Sequence, residues 1–201
     1  MSDLKVDKRL NIAFPVGATG LQVHSAPISR DVFERYWAPI TKAFNFAVST
    51  AGISAPRIAS LALRESAEQL GVWTDQKNAT GDVTRNGVES GLLAEIKRLT
   101  SVVVHTPEHG WQAVPLDVAR QQKKLDADEY AEVENAIVFF TLASWVPSKG
   151  DLPGIYESGF SIADARVTSS NSTEWAHSLR TSTATEDSGK KKEPAASSHP
   201  S

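Results

Sequence analysis

Apolar residues recur at intervals of three and four at Phe33, Trp37, Ile40, Phe44 and Val48, the spacing that lines one face of an α-helix. Ser29 ahead of them offers an N-capping hydroxyl, and Asp31 complements the positive end of the helix dipole. Pro39 inside this stretch removes one backbone N–H and predicts a kink or break. Gly52 ends the element. Ser54 and Pro56 then start a second helix, with Ile58, Leu61, Ala62, Ala67 and Leu70 on one side and Gly71 as its terminator. A third helix is expected over 87–99, turning Val88, Leu92, Ile96 and Leu99 inward.

Pro115 opens a short helix through Arg120, and Asp126 with Glu129 three residues on forms a capping-box pattern, with Asp as the cap, for a last helix reaching Trp145. The first half of that helix is acidic and the second almost wholly apolar, so the rest of the fold must cover the second half. Pro147 stops it. Two pairs of β-favouring runs, 11–16 with 21–25 and 102–104 with 111–114, flank turn-forming residues and predict two hairpins. Between helices, 74–86 is rich in turn residues and reads as an exposed loop.

This pattern gives an α+β, helix-dominated single domain with one or two small β-hairpins. Residues 1–9 form a flexible N-terminus and 10–179 the globular domain, in which 173–179 supplies one or two helical turns. Residues 180–201 form a disordered tail: they contain no Leu, Ile, Val, Phe, Tyr or Trp, and nothing there offsets the entropy of ordering. No repeat of fixed period is visible.

Composition narrows the function. With no cysteine in 201 residues, thiolate catalysis, sulfur-based zinc sites and disulfide frameworks all drop out, in keeping with a reducing cytoplasm. A net charge of −3 provides no basic field for a phosphate backbone, so nucleic acid is not an expected partner. Met1 to Leu10 is charged and followed by no apolar core, unlike a secretory signal. The apolar run from Ala136 to Val146 is interrupted by Thr141 and Ser144 and falls well short of the roughly 20 residues that span a bilayer, so no membrane association is expected.

Candidate chemistry is sparse. His105, Glu108 and His109 carry the letters of the inverted zinc-protease motif H-x-x-E-H. That motif needs a helix to bring both imidazoles to one face, and Pro107 with Gly110 makes a turn. Asn78 and Asn171 head glycosylation sequons that carry no weight without a signal peptide. The 17–20 glycine turn lacks the Lys-Ser/Thr ending of a phosphate loop. The acidic residues around Asp128 are the ordinary complement of a helix N-terminus, and the scattered histidines have no nucleophile elbow beside them. The expectation is no catalytic residue, no cofactor and no metal. Aromatics anchor interfaces as well as cores. Trp37 and Trp145 lie on apolar helix faces and are expected in the core. Trp73, at a helix exit, and Trp111, in a hairpin, are the expected protein contacts.

Four blocks, 27–33 (PISRDVF), 87–100 (GVESGLLAEIKRLT), 132–140 (EVENAIVFF) and 170–174 (NSTE following Ser170) with the Ser/Thr-rich tail, resemble tail assembly chaperones of long-tailed, siphovirus-like bacteriophages. The likeness runs from about residue 10 to the C-terminus. It implies a non-enzymatic late protein of the host cytoplasm that coats the tape-measure protein, helps recruit tail-tube subunits and is absent from the finished virion. It also implies a longer form made by ribosomal frameshifting. Self-association is left open, and the alternative role is a minor structural tail or neck protein retained in the virion.

Overall fold

A computed structural model describes residues 2–6, 9–17, 20–77, 79–81, 83–84, 87–106, 110–145 and 165–169. The first strands are β1 (Ser2–Val6), β2 (Ile12–Val16) and β3 (Leu21–Ser25). The expected first hairpin forms, with Ile12 opposite Ser25 and Val16 opposite Leu21. Alternation then sorts the side chains: Ile12, Phe14, Val16 and Val23 turn into the core, while Gln22 and His24 turn to the other face. The N-terminus departs from expectation. Instead of a flexible arm, Ser2–Val6 pairs with β2, because the run LKV offers a strand whose backbone groups the neighbouring edge can satisfy.

Two antiparallel helices follow, α1 (Arg30–Ala51) and, after a 3₁₀ turn at Gly52–Ser54, α2 (Ala55–Gln69). Ser29 caps α1 by accepting the Val32 N–H at 3.4 Å. The kink expected from Pro39 is present one turn earlier, where Tyr36 leaves helical geometry at φ −114°, ψ 18°. This is where the proline ring would press on the carbonyl four residues back and where a backbone hydrogen bond is lost.

The faces of both helices differ from the expected ones. On α1 the buried positions are Tyr36, Pro39, Ile40, Ala43 and Ala47, and on α2 they are mostly small: Ala55, Ala59, Ser60, Ala62, Ser66 and Ala67. Trp37, assigned to the core by its spacing, is 59% exposed, and Val48, Leu61 and Leu70 are also exposed. Alanine and serine rows let α1 and α2 pack closely along each other, and the wide side chains are turned out of that seam.

The stretch expected to be a plain loop carries a two-stranded ribbon, β4 (Gln76–Lys77) with β5 (Val83–Thr84). The third helix begins as a π-helical segment at Val88–Leu93 and becomes α-helical only in α3 (Ala94–Arg98). The wider turn brings Leu92 and Leu93, adjacent in sequence, into the core together with Val88 and Ile96. Gly87 starts it in close contact with the backbone of Trp73 and Thr74, where no Cβ would fit. Asp75 fixes this start, accepting from the Gly87 N–H at 3.1 Å and from the Ser90 hydroxyl.

The second hairpin also forms, from β6 (Thr100–Thr106) and β7 (Gly110–Pro115), and it joins the same sheet as the first through β3 and β6. A short α4 (Leu116–Gln121) leads to α5 (Ala127–Trp145). The capping box is reciprocal: Asp126 accepts the Glu129 N–H at 2.8 Å while Glu129 accepts the Asp126 N–H at 3.1 Å. In the apolar half of α5, Ile137 to Ala143 is buried throughout, and Thr141 and Ser144 satisfy their hydroxyls on the carbonyls four residues back. Finally β8 (Ala165–Ser169), which no sequence pattern signalled, lies parallel to β1 and closes a six-stranded sheet of order β7-β6-β3-β2-β1-β8. The helical turn expected at 173–179 and the tail at 180–201 lie outside the described residues.

Candidate functional site

The two tryptophans picked out as protein contacts do not build a common site. Trp73 is half-buried and packs against the core beside Gly87. Trp111 is 41% exposed on β7, at one end of the sheet order, and meets the ring of its cross-strand neighbour His105 edge-on at 5.2 Å. His105 therefore stands on a strand, which denies the zinc-motif spacing its helix; Glu108 and His109 lie outside the described residues. Among the described residues, no group of three or more His, Asp or Glu side chains is placed to hold a metal ion.

Polar side chains do gather at the junction of α2, α3 and α5. Glu134 on α5 receives Arg64 Nη1 at 2.7 Å and Lys97 Nζ at 2.8 Å, one on each carboxylate oxygen, and also the Ser60 hydroxyl. Arg64 reaches Glu89 at 3.3 Å as well. Burial alone would raise the Glu134 carboxyl, but the hydrogen bonds from Arg64, Lys97 and Ser60 outweigh it and hold the pKa at about 2. Burial would lower Lys97, and the same carboxylate keeps it raised. Lys97 and Arg120 stand 5.5 and 4.4 Å from the centre of the Tyr130 ring, whose hydroxyl donates to Asp117 at 2.7 Å. Both Glu134 carboxylate oxygens are engaged by cations of the protein itself, while Arg64 and Glu89 remain partly exposed. Glu134 thus ties the three helices together.

The open surface lies on the opposite side of α1. Trp37, Phe46, Val48 and Leu70 line a shallow groove of ≈ 770 Å³, with Thr41, Lys42, Asn45 and Ser49 as its polar members. Their order on the helix explains the shape: 37, 41, 45 and 48 form one row, 38, 42, 46 and 49 the next, and Leu70 at the end of α2 closes the side near Trp37. All four large apolar groups are more than a third exposed, and enclosing a side chain of that size is worth about 1.5–3 kcal/mol. Among the described residues, Lys42 is the one charged residue that lines it.

Sequence reasoning named three of these residues, Trp37, Val48 and Leu70, but placed them on the inward apolar faces of their helices. The missed signal is that α1 carries two apolar stripes, a small-residue one through Ala43 and Ala47 and a large-residue one through Trp37 and Val48, with Phe46 on the row beyond. Among the described helices, none is long and apolar enough to cross a membrane. No family model matches the chain, and no curated protein or solved structure is significantly similar to it.

Proposed function

We propose that this chain is a non-enzymatic, cytoplasmic protein-binding module, a phage tail assembly chaperone that holds the tape-measure protein and helps recruit tail-tube subunits. The observation that carries the reading is the set of exposed large side chains, Trp37, Phe46, Val48 and Leu70, around one groove on a helix pair whose seam is already filled largely by small residues. An open groove whose large apolar side chains flank a few polar ones suits a partner helix laid lengthwise in it. The sequence blocks at 27–33, 87–100, 132–140 and 170–174 supply the identity of that partner. One of them, 27–33, starts α1, whose residues line the groove; 87–100 forms the π turn and α3 with Lys97, and 132–140 carries Glu134, in the polar cluster away from it.

Affinity purification of the tagged chain co-expressed with tape-measure segments tests this. The expected outcome is co-purification that Trp37→Ala together with Phe46→Ala abolishes, with no trace of the chain in finished particles by mass spectrometry. Stoichiometric recovery in particles would make it a structural component of the tail or neck, and no co-purification would overturn the reading.

A further inference from the structure

We propose that β7 is the pairing edge of a homodimer. Two copies join β7 to β7 antiparallel about a two-fold axis at Gln112, with Trp111 of each copy opposite Ala113 of the other. The hydrogen-bonding register shows which backbone groups the edge offers. Ala26 donates its N–H to the Leu99 carbonyl at 3.1 Å, so the bonded pairs between β3 and β6 continue, two residues at a time, at His24–Ser101 and Gln22–Val103. The alternate residues of β6, Val102 and Val104, therefore turn their N–H and C=O toward β7, where they meet Val114 and Gln112. Trp111 and Ala113 consequently point theirs away from the sheet. Among the described residues no strand lies beyond β7, and no hydrogen bond reaches these outward groups.

The strand lacks the devices that protect a free edge. Its stretch GWQAV has no charge and no proline, and its register with β6 runs without a bulge. Pro115, which closes the strand, then fixes how a second copy aligns. The outward groups belong to the odd-numbered residues, so the two-fold registers available centre on Trp111, Gln112 or Ala113. Centring on Ala113 sets Trp111 opposite Pro115, which has no N–H to give. Centring on Trp111 sets Ala113 opposite residue 109, beyond the start of the strand. Centring on Gln112 joins Trp111 to the other copy's Ala113 through the N–H and the C=O of each. The side chains fit the same register. Trp111 and Ala113 are exposed on one face of the sheet, so each indole, beside its own His105, covers the small Ala113 across the axis, and no charges are opposed. A strand from another protein would satisfy the backbone equally; the match of large to small about a two-fold is what a second copy supplies. None of these residues lines the groove on α1, and the pairing does not depend on the proposed function.

Sedimentation equilibrium of the full chain, together with single cysteines placed in a chain that has none, tests the pairing. The expected result is a concentration-dependent dimer. Ala113→Pro should raise its dissociation constant by about tenfold or more, because one outward donor is lost from each copy. The N–H removed faces away from β6, so the thermal melt should stay close to the parent's. Gln112→Cys sets a thiol opposite its own equivalent, with Cα atoms about 4.5 Å apart in a non-hydrogen-bonded pair, and mild oxidation should give a covalent dimer. Ala113→Cys, offset from its equivalent by two residues and so beyond the roughly 7 Å that a disulfide tolerates, should oxidise many-fold more slowly. These two cysteine variants decide the register even where Ala113→Pro fails to fold. A chain that stays monomeric at every concentration, whether or not another protein's strand binds the edge, would overturn the inference. So would a dimer indifferent to a folded Ala113→Pro, or one in which Ala113→Cys cross-links as fast as Gln112→Cys.

Discussion

Glu134 and Lys97 meet at 2.8 Å across the contact of α5 with α3, and Arg64 from α2 holds the other carboxylate oxygen at 2.7 Å. One acid thus ties three helices together from a position with a side chain only 10% exposed. Removing it leaves Lys97 partly buried without its carboxylate and Arg64 with Glu89 alone. Glu134→Gln should lower the unfolding free energy by about 3 kcal/mol, as read by urea denaturation. A loss under about 1 kcal/mol would show that the helices hold without this bolt.

The same acid sets an acid limit. Its folded pKa of about 2 lies below the ordinary value of 4.5, so the stabilisation is complete above pH 4.5 and is lost as pH falls from there toward 2. Denaturation midpoints should decline across that window in the parent chain and decline less steeply in Glu134→Gln. Parallel declines would assign the acid sensitivity to other carboxylates.

The two stripes of α1 should separate stability from binding. Trp37→Ala and Phe46→Ala remove exposed groups and should shift stability by no more than about 0.5 kcal/mol, while partner recovery is lost. Ala47→Leu, in the close seam with α2, should cost about 1–3 kcal/mol through overpacking. Thermal melts beside the co-purification assay read both. Equal destabilisation by both classes would contradict the exposure of Trp37.

The start of α5 touches the first hairpin. A Cβ added at Gly17, which holds a φ of +63°, would collide with the Glu129 carboxylate that completes the capping box. Gly17→Ala should therefore strain the turn and displace the cap together, and lower stability by about 1–2 kcal/mol. Asp126→Ala alone should cost about 1 kcal/mol. If the two losses add fully in the double variant, the turn and the cap are independent.

Much of the architecture could be read along the chain because it rests on local physics. Ser29, Asp126 and Glu129 announce helix starts through hydrogen bonds to backbone three residues away, Pro39 announces its kink, and alternation over 12–16 and 21–25 announces a hairpin joined by a short turn. Periodicity alone could not say which of two apolar stripes faces inward. On α1 and α2 that choice falls to the close approach of Ala43, Ala47, Ala59 and Ala62, which only the paired helices define, and it turns Trp37 from core to surface. The union of both hairpins in one sheet, the strand at Ser2–Val6 and its parallel neighbour Ala165–Ser169 likewise depend on residues distant in sequence. Caps, turns and periods are set by neighbours along the chain; seams, registers and the groove they leave open are set by what each surface meets when the chain closes on itself.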